Sequence, residues 1–416
     1  MDQLTRRLGV PDAVVIGLGS MLGAGVFVVF APATAAAGGN GLLVALVLAG
    51  FVAFCNATSS ARLAARYPES GGTYVYGRER LSPFAGFIAG WGFVIGKTAS
   101  CAAGALTIGA YLWPGHARPV AVLAVISVTA VNVRGIGKTA AATRALVTVT
   151  LAVLATVAVA GLLAGGFVAS RLGGVGGTGN RGVLTAAGLL FFAFAGYARI
   201  ATLGEEVRDP RRTIPRAIPL ALGLVLLIYL TLAAISLGVL GPERLAASAA
   251  PLAEVVTAAG LPSLAWVVRA GAAVAVTGVL LSLLAGVGRT LLAMGRRRDM
   301  PGALAAVHPT HRVPARAEIA IAAVVILVVS LGDVRGAIGF SSCTVLVYYA
   351  IANASALTLG REPERKIPVQ LIAALGLVGC VVLAVSLPVA SVLAGFGVLA
   401  VGALWYALRH AVNARR

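Results

Sequence analysis

Charged residues are scarce in this sequence. Only 11% of the 416 residues are charged, and 14 are acidic. A soluble domain carries about 25% charged residues, so this chain cannot cover a water-facing surface of its size. It is instead 59% hydrophobic, with a mean hydropathy of +0.96. These values exclude an ordinary soluble fold and are typical of a protein whose outer wall faces lipid.

Cysteine and histidine are also scarce, with four residues of each type. The cysteines all lie in apolar runs without C-x-x-C spacing, so no disulfide framework is predicted. Two histidines stand three residues apart in an arginine-rich loop with no cysteine or acidic cluster beside them, so no metal site is predicted. The phosphate-binding pattern GxxxxGK[ST] is absent. We therefore expect neither a cofactor nor a nucleotide-driven pump.

Long apolar runs fill the chain. A helix needs about 20 apolar residues to cross the hydrocarbon core. The runs predict about twelve transmembrane helices, the first of which we expect to remain in the mature protein as a span. The predicted spans are 12–37, 41–65, 83–112, 118–133, 144–167, 183–203, 217–240, 263–294, 317–332, 336–358, 368–385 and 388–408.

The basic residues predict an orientation. If the N-terminus is cytoplasmic, 24 of the 33 basic residues fall in inner segments, 5 in outer segments and 4 within spans. Basic residues are retained on the cytoplasmic side, so both termini are expected there, in a multi-pass protein of the cell membrane. The same bias explains the net charge of +19. Without a basic stripe and stacking aromatic residues, no nucleic-acid partner is predicted.

The first span is rich in glycine, with four glycines between positions 17 and 25. Each weakens a helix by about 1 kcal/mol relative to alanine. Two interpretations stay open: a break whose free amides receive a carboxylate, or a face for close helix packing.

The sixth span contains a single glycine among aromatic residues, Gly196. The sixth span is the first of a second group of five spans. After five spans the chain is on the opposite side of the membrane, so the second group is inverted relative to the first. Inverted repeats with interrupted helices in matching positions indicate a transporter site near the midplane. The predicted units are 1–167, 183–358 and a peripheral pair of helices over 368–408.

Four stretches carry a family resemblance. They are the glycine-rich segment 16–27, the loop 67–76 (Tyr-Pro-Glu-Ser-Gly-Gly-Thr-Tyr-Val-Tyr), the segment 191–218 with its Glu-Glu-Val-Arg-Asp-Pro motif, and 289–301. In this order they resemble the amino acid–polyamine–organocation (APC) permeases, close to the cationic amino acid transporter branch.

The resemblance implies an all-α integral membrane fold. Its core would be a five-plus-five inverted repeat with discontinuous helices one and six, followed by two peripheral helices. Main-chain amides of the first break would bind a substrate carboxylate, at Ser20, Met21, Leu22, Gly23, Ala24 and Gly25. Carbonyls of the second break would bind the ammonium group, at Phe191, Ala193 and Phe194. One of these aromatic residues would also close the site from outside.

The sequence departs from the family pattern at two positions. Thr150 stands where some cationic transporters carry a coupling lysine, and Ala198 stands where an acidic residue often follows the helix-six aromatic. Selectivity for cationic substrates loses support from both. Arg199 either holds an inner gate with an acid such as Glu205 or extends its charge toward the cytoplasm.

Lys97 lies deep in a span. It follows Pro83 by 14 positions, which is roughly 21 Å along a helix. An ionisable group at that depth is costly and marks a functional site by default. We expect it either to carry a coupled proton or balance substrate charge, or to pair structurally with carbonyls or an acid.

The predicted function is secondary transport of an amino acid or related small amine by alternating access, with proton symport. An exchanger without proton coupling is the first alternative, and a channel or non-transporting receptor is another. An intramembrane enzyme is not predicted, because the spans hold almost no acids and no histidine. The sequence does not choose the substrate or the oligomeric state.

Overall fold

The computed structural model describes residues 8–67, 71–135, 140–163, 166–172, 179–201, 207–311, 313–360 and 369–414. Within these ranges the chain is almost entirely helical, and the β-type contact is an isolated bridge between Leu8 and Val207. The helices, in chain order, are α1 (Val10–Met21), α2 (Ala24–Val28), α3 (Phe30–Arg66), α4 (Thr73–Arg80), α5 (Pro83–Leu112), α6 (Ala117–Val133), α7 (Ala140–Leu163), α8 (Gly179–Phe194), α9 (Ala198–Ala201), α10 (Pro210–Ala247), α11 (Pro251–Ala258), α12 (Ala265–Arg296), α13 (Ala315–Leu331), α14 (Val334–Leu357), α15 (Val369–Ser386) and α16 (Val389–Ala414).

The described residues include eleven helical stretches long and apolar enough to cross a membrane. The remaining predicted span corresponds to α13, whose 17 residues reach the lower end of the range of roughly 17–25 that spanning helices use. Large apolar side chains such as Leu123, Leu327 and Leu404 remain exposed on the outside of the molecule, a surface that suits lipid. The chain is a multi-pass helical membrane protein, which confirms the predicted fold class.

A glycine marks the boundary between the first two spans. The hydrogen-bonded helix α3 continues from the first span into the second, but Gly38 inside it has φ 72° and ψ −170°. Glycine alone adopts that backbone readily, so two helices meet there at a kink. The predicted boundary, between positions 37 and 41, falls on this residue. Gly241, with φ 74°, interrupts α10 in the same way, one residue after the predicted end of span seven.

Some helices extend beyond the predicted spans. The helix α10 begins at Pro210, seven residues before the predicted start of span seven. Hydropathy marks the apolar part of a helix, whereas the helix itself continues into the polar loop, where proline suits the first turn. The short helices α4 and α11 lie between predicted spans.

The long helices pack in two groups. The helix α3 packs most extensively against α8 and α10, whereas α5 packs against α12 and α14. The helix α5 is central, because 89% of its most apolar stretch is buried, against 22% for the stretches that contain α6 and α16. Since α2 contacts α5, α8 and α12, the first span lies between the two groups.

A buried aspartate joins three elements at the end of α12. Asp299 follows α12, and its Oδ2 accepts hydrogen bonds from Tyr74 Oη at 2.5 Å and Arg78 Nη1 at 2.7 Å. Its main-chain oxygen accepts from Trp405 Nε1 at 3.3 Å. These contacts tie α4 and α16 to the end of α12, at the side predicted to be cytoplasmic, called the inner side below.

We expect Asp299→Ala to lower the free energy of unfolding by about 2–3 kcal/mol, because two hydrogen bonds to a buried charge are lost. The thermal unfolding midpoint of the purified protein in detergent measures this loss. Asp333→Ala is the matched control, since it removes the exposed cap of α14 and should cost about 1 kcal/mol. Equal shifts for the two variants would contradict the assigned role of Asp299.

Candidate functional site

The first span is broken at its glycine-rich segment. The helix α1 ends at Met21, Leu22 has φ −79° and ψ 58°, and Gly23 has φ −121° and ψ −141° before α2 begins. The first amides of a helix lack acceptors within it, and no side chain caps the start of α2. The glycines therefore form a true interruption, in addition to allowing close packing.

The second interruption is a change of helix type. The helix α8 ends at Phe194, a 3₁₀ turn covers Ala195–Tyr197, and α9 follows. A 3₁₀ segment within a helix re-aims its carbonyls and often marks a functional position. The interruption is milder than the first, and it lies at Gly196 as the sequence predicts.

The two interruptions touch each other. A Cβ atom at Gly196 would overlap the carbonyl oxygen of Ser20, and one at Gly25 would lie 2.5 Å from the Ala193 Cβ atom. Only glycine allows backbones to approach this closely. Gly25 and Gly196 are therefore what brings the first and sixth spans together at their breaks.

A buried tyrosine of α10 bridges the breaks. The Tyr229 hydroxyl lies 2.7 Å from the Met21 carbonyl oxygen and 3.2 Å from that of Ala193. The hydroxyl has one proton, which the carbonyls of Met21 and Ala193 share. The Ala193 carbonyl oxygen therefore already has a hydrogen-bond donor nearby. Sequence reasoning did not single out Tyr229, although a hydroxyl in the run Leu-Ile-Tyr-Leu is a signal for a buried polar contact.

A small cavity lies between the breaks. Its volume is about 40 Å³, enough for a few water molecules. A larger solute needs the breaks to move away from α5 and α12, which line the rest of the cavity. It is lined by residues of both breaks, of α5 and of α12: Ser20, Met21, Gly23, Ala24, Gly25, Phe192, Ala193, Gly196, Lys97, Ser100, Gly104, Val276, Val279, Leu280 and Leu283.

Lys97 is the charged residue of this cavity. Its side chain is buried, with 6% of its surface exposed. It lies on the same face of α5 as Ser100 and Gly104, which also line the cavity. Within the described residues its amine makes no hydrogen bond or ion pair. The structural pairing considered from sequence is therefore not found there, and Lys97 lines the cavity together with residues of the two breaks.

A second cavity of about 180 Å³ lies along α1 on the inner side of the first break. It contains Leu22, Thr150 and Arg199 in its lining, and Ser20 lines both cavities. The Thr150 hydroxyl donates to the Leu146 carbonyl at 2.8 Å, as most hydroxyls in helices do. The two cavities thus share a lining residue of the first break, Ser20.

Two of the predicted aromatic residues face away from the cavity. Phe191 and Phe194 are fully buried, and their rings pack edge-on against Tyr349 at 5.7 Å and Tyr229 at 5.2 Å. Phe192 lines the cavity instead. The predicted gating residue Glu205 lies outside the described residues.

The outer side of the first span is held by hydrogen bonds. The Tyr111 hydroxyl donates to the Phe27 carbonyl at 2.7 Å and accepts from the Leu252 amide at 3.3 Å. Arg269 Nη1 donates to the Tyr111 carbonyl at 2.9 Å. These contacts join α2, α5, α11 and α12, so the outer half of the first span is packed shut while the larger cavity lies on the inner side.

Comparison with known proteins decides the family. A family model described as amino acid permease matches residues 8–408. The chain belongs to the amino acid permease family. The resemblance inferred from the glycine-rich first span, the loop after span two and the segment around Gly196 is confirmed.

The permease is 60% identical over 414 residues to a Mycobacterium tuberculosis (strain ATCC 25618 / H37Rv) protein described as an uncharacterized transporter, covering 100% of this chain and 93% of the relative. It is 29% identical over 346 residues to the branched-chain amino acid permease BcaP of Bacillus subtilis (75% and 71% of the two chains). It is 26% identical over 400 residues to the vacuolar cationic amino acid transporter 4 of Arabidopsis thaliana (88% and 65%). The last two relatives are named as transporters of different solutes.

The contact between the breaks gives a stability prediction. Gly196→Ala should push the spans apart and cost about 1–3 kcal/mol, as overpacking does. Gly223→Ala on α10 is the control, because no atom lies within 4 Å of the added carbon and alanine favours a helix. We expect the thermal midpoint to fall for Gly196→Ala and to stay level or rise for Gly223→Ala; shifts of the same sign and size would contradict the close approach.

Proposed function

We propose that the permease is a secondary active transporter that moves an amino acid or a related small amine across the cell membrane by alternating access. The observation that supports this most is the contact between two interrupted spans beside a cavity with a buried lysine. Interrupted helices at membrane depth are tolerated where they line a cavity, and they form the substrate site in transporters.

The roles proposed for the breaks follow from the polarity of the main chain. Amides at Ser20, Met21, Leu22, Gly23, Ala24 and Gly25 are proposed to bind the substrate carboxylate. Those of Ala24 and Gly25 begin α2, and helix starts attract anions. Those of Leu22 and Gly23 donate to the Leu18 and Met21 carbonyls in this conformation. Carbonyls of Phe191, Ala193 and Phe194 bind the ammonium group. The lining of the cavity supports Ser20, Met21, Gly23–Gly25 and Ala193; for Leu22, Phe191 and Phe194 the proposal concerns main-chain atoms of the same breaks.

The packing suggests which parts move. We propose that α1, α3, α8 and α10 rock against α5, α12 and α14, and that residues 1–167 and 183–358 form inverted repeats with 368–408 peripheral to them. Tyr229 keeps the two breaks together during the movement. The shut outer contacts and the larger inner cavity correspond to a conformation closed toward the outside, with both termini in the cytoplasm.

The inner gate is proposed at the start of α1. Asp12 Oδ1 lies 2.6 Å from Arg144 Nη2 on α7, and the Arg208 amide donates to the Leu8 carbonyl at 2.8 Å. Opening toward the cytoplasm separates these pairs. Arg199, in the lining of the inner cavity, and Glu205 complete the proposed gate.

We propose that Lys97 takes up the coupled proton. In its protonated form it stabilises a carboxylate in the cavity, and proton and substrate then favour each other's binding by the same factor. Substrate and proton would cross together, as in symport. Thr150, at the family's lysine position, lies in the neighbouring cavity and cannot carry a proton in this way.

The coupling proposal is tested with Lys97→Ala in proteoliposomes. Wild-type uptake of a transported amino acid should rise about tenfold when an inward proton gradient is imposed, a change of about 1.4 kcal/mol in driving force. We expect the variant to lose this dependence, since it has no proton site in the cavity. Arg118→Ala is the control and should behave as wild type, because Arg118 is exposed at the start of α6 and lines neither cavity. A variant that keeps the full gradient dependence removes Lys97 from coupling.

Exchange without a proton is the second candidate, and the absence of a lysine at Thr150 favours it. Vesicles loaded with unlabelled amino acid separate the two modes. Uptake that strictly requires internal substrate and ignores the proton gradient indicates an exchanger. A channel or non-transporting receptor shows no saturable counterflow.

A further inference from the structure

The charge of the cavity between the breaks is unbalanced. Lys97 is its charged lining residue, and no aspartate or glutamate among the described residues lines it. Glu79, the acid nearest to Lys97 in sequence, and Asp12, the acid nearest to the first break, lie at helix ends, and Asp12 pairs with Arg144. A permanently unpaired ammonium at membrane depth is costly, so this cavity favours a ligand that brings a negative charge.

The hydroxyl groups of the cavity are already engaged. Ser20 Oγ donates to the Ile16 carbonyl at 2.9 Å. Ser100 Oγ lies 2.7 Å from Ser341 Oγ and 3.2 Å from the Gly96 carbonyl. A substrate side chain with its own polar groups would therefore displace existing hydrogen bonds to find partners here.

The cavity wall opposite the breaks is aliphatic and lies close to the first break. It consists of four residues of α12: Val276, Val279, Leu280 and Leu283. A Cβ atom on Gly23 would lie 2.5 Å from Val279 Cγ2, and one on Gly104 would lie 3.5 Å from Val276 Cγ1. The space for a side chain is thus bounded by methyl groups, which bind a small aliphatic group and give no compensation for a buried charge.

We infer that the permease selects amino acids of zero net charge with an aliphatic side chain. The Lys97 ammonium group pairs with the substrate carboxylate, and α12 contacts the side chain. Amines without a carboxylate are rejected because they add like charge beside Lys97 without neutralising it. Cationic amino acids are rejected because their side-chain charge would lie against the aliphatic wall of α12, which gives it no partner. This inference rests on the proposed transport function and narrows its substrate class.

Binding is tested on the full-length protein in detergent by thermal shift with a defined panel. The probes are L-leucine, L-valine, L-alanine, L-arginine, L-lysine, L-glutamate, putrescine and isoamylamine, which is leucine without its carboxylate. Counterflow of radiolabelled L-leucine and L-arginine in proteoliposomes then measures transport. We expect the aliphatic amino acids to bind at least about tenfold more tightly than L-arginine and isoamylamine, the size of one well-placed ionic contact.

Two variants test whether Lys97 recognises the substrate carboxylate. Lys97→Met keeps the length of the side chain and removes the charge, so the preference for L-leucine over isoamylamine should fall at least tenfold. Lys97→Arg keeps the charge and should retain the preference for a carboxylate, even where affinity falls. Because the comparison of L-leucine with isoamylamine is made within each protein, a loss of overall stability in a variant does not imitate the result. An unchanged preference in Lys97→Met overturns the role of Lys97.

The outcomes separate this inference from the proposed function. Saturable transport of L-arginine, L-lysine, putrescine or L-glutamate at the level of L-leucine or above overturns the substrate class and leaves the transporter intact. The absence of saturable counterflow for L-leucine and L-arginine, together with no thermal shift across the panel, overturns both. Aliphatic amino acids that bind and exchange, with cations excluded, support both.

Discussion

The main-chain groups released at the two breaks are the constraint on which the rest of the structure depends. In the membrane interior such groups must find partners within the protein or a water-filled cavity. Here the Ser20 carbonyl lies against Gly196, Tyr229 donates across both breaks, and the Tyr349 hydroxyl lies 3.3 Å from the Ala195 carbonyl. Tyr229 comes from α10 and Tyr349 from α14, so each group of helices supplies a partner to the breaks.

The degree to which the sequence predicts this arrangement differs between its parts. Apolar runs predict the spans because the part of a helix that lies in lipid must be apolar. The four glycines of span one allow a break or a face for close packing, and the sequence leaves both open. Gly196 alone is a weak signal, and its importance comes from its position in the first span of the inverted second group of five. The hydrogen-bond partners of Tyr229 and Tyr349 could not be predicted from the sequence. The partners are main-chain carbonyls, which every residue has, and they lie more than 30 positions away in the chain.

The aromatic residues of the sixth span show why a family's site residues cannot be assigned to this sequence by position alone. Successive residues of a helix point about 100° apart, so Phe191 and Phe194, three positions apart, share one face. That face packs on Tyr349 and Tyr229. Phe192 and Gly196, four apart, share the other face and line the cavity. Register along the helix, which only the coordinates provide, therefore decides which ring meets the cavity.

Lys97 belongs to one group of helices and the first break to the span between the groups, and this has a mechanical consequence. Lys97 is on α5, the central helix packed against α12 and α14, whereas the amides of Gly23, Ala24 and Gly25 belong to the span that lies between the groups. A carboxylate held by both would draw the two groups together, because each oxygen is shared between a charged donor and main-chain donors. In the proposed transporter, binding of the substrate carboxylate and closure of the site are then one event. A solute without a carboxylate would occupy the cavity without producing closure.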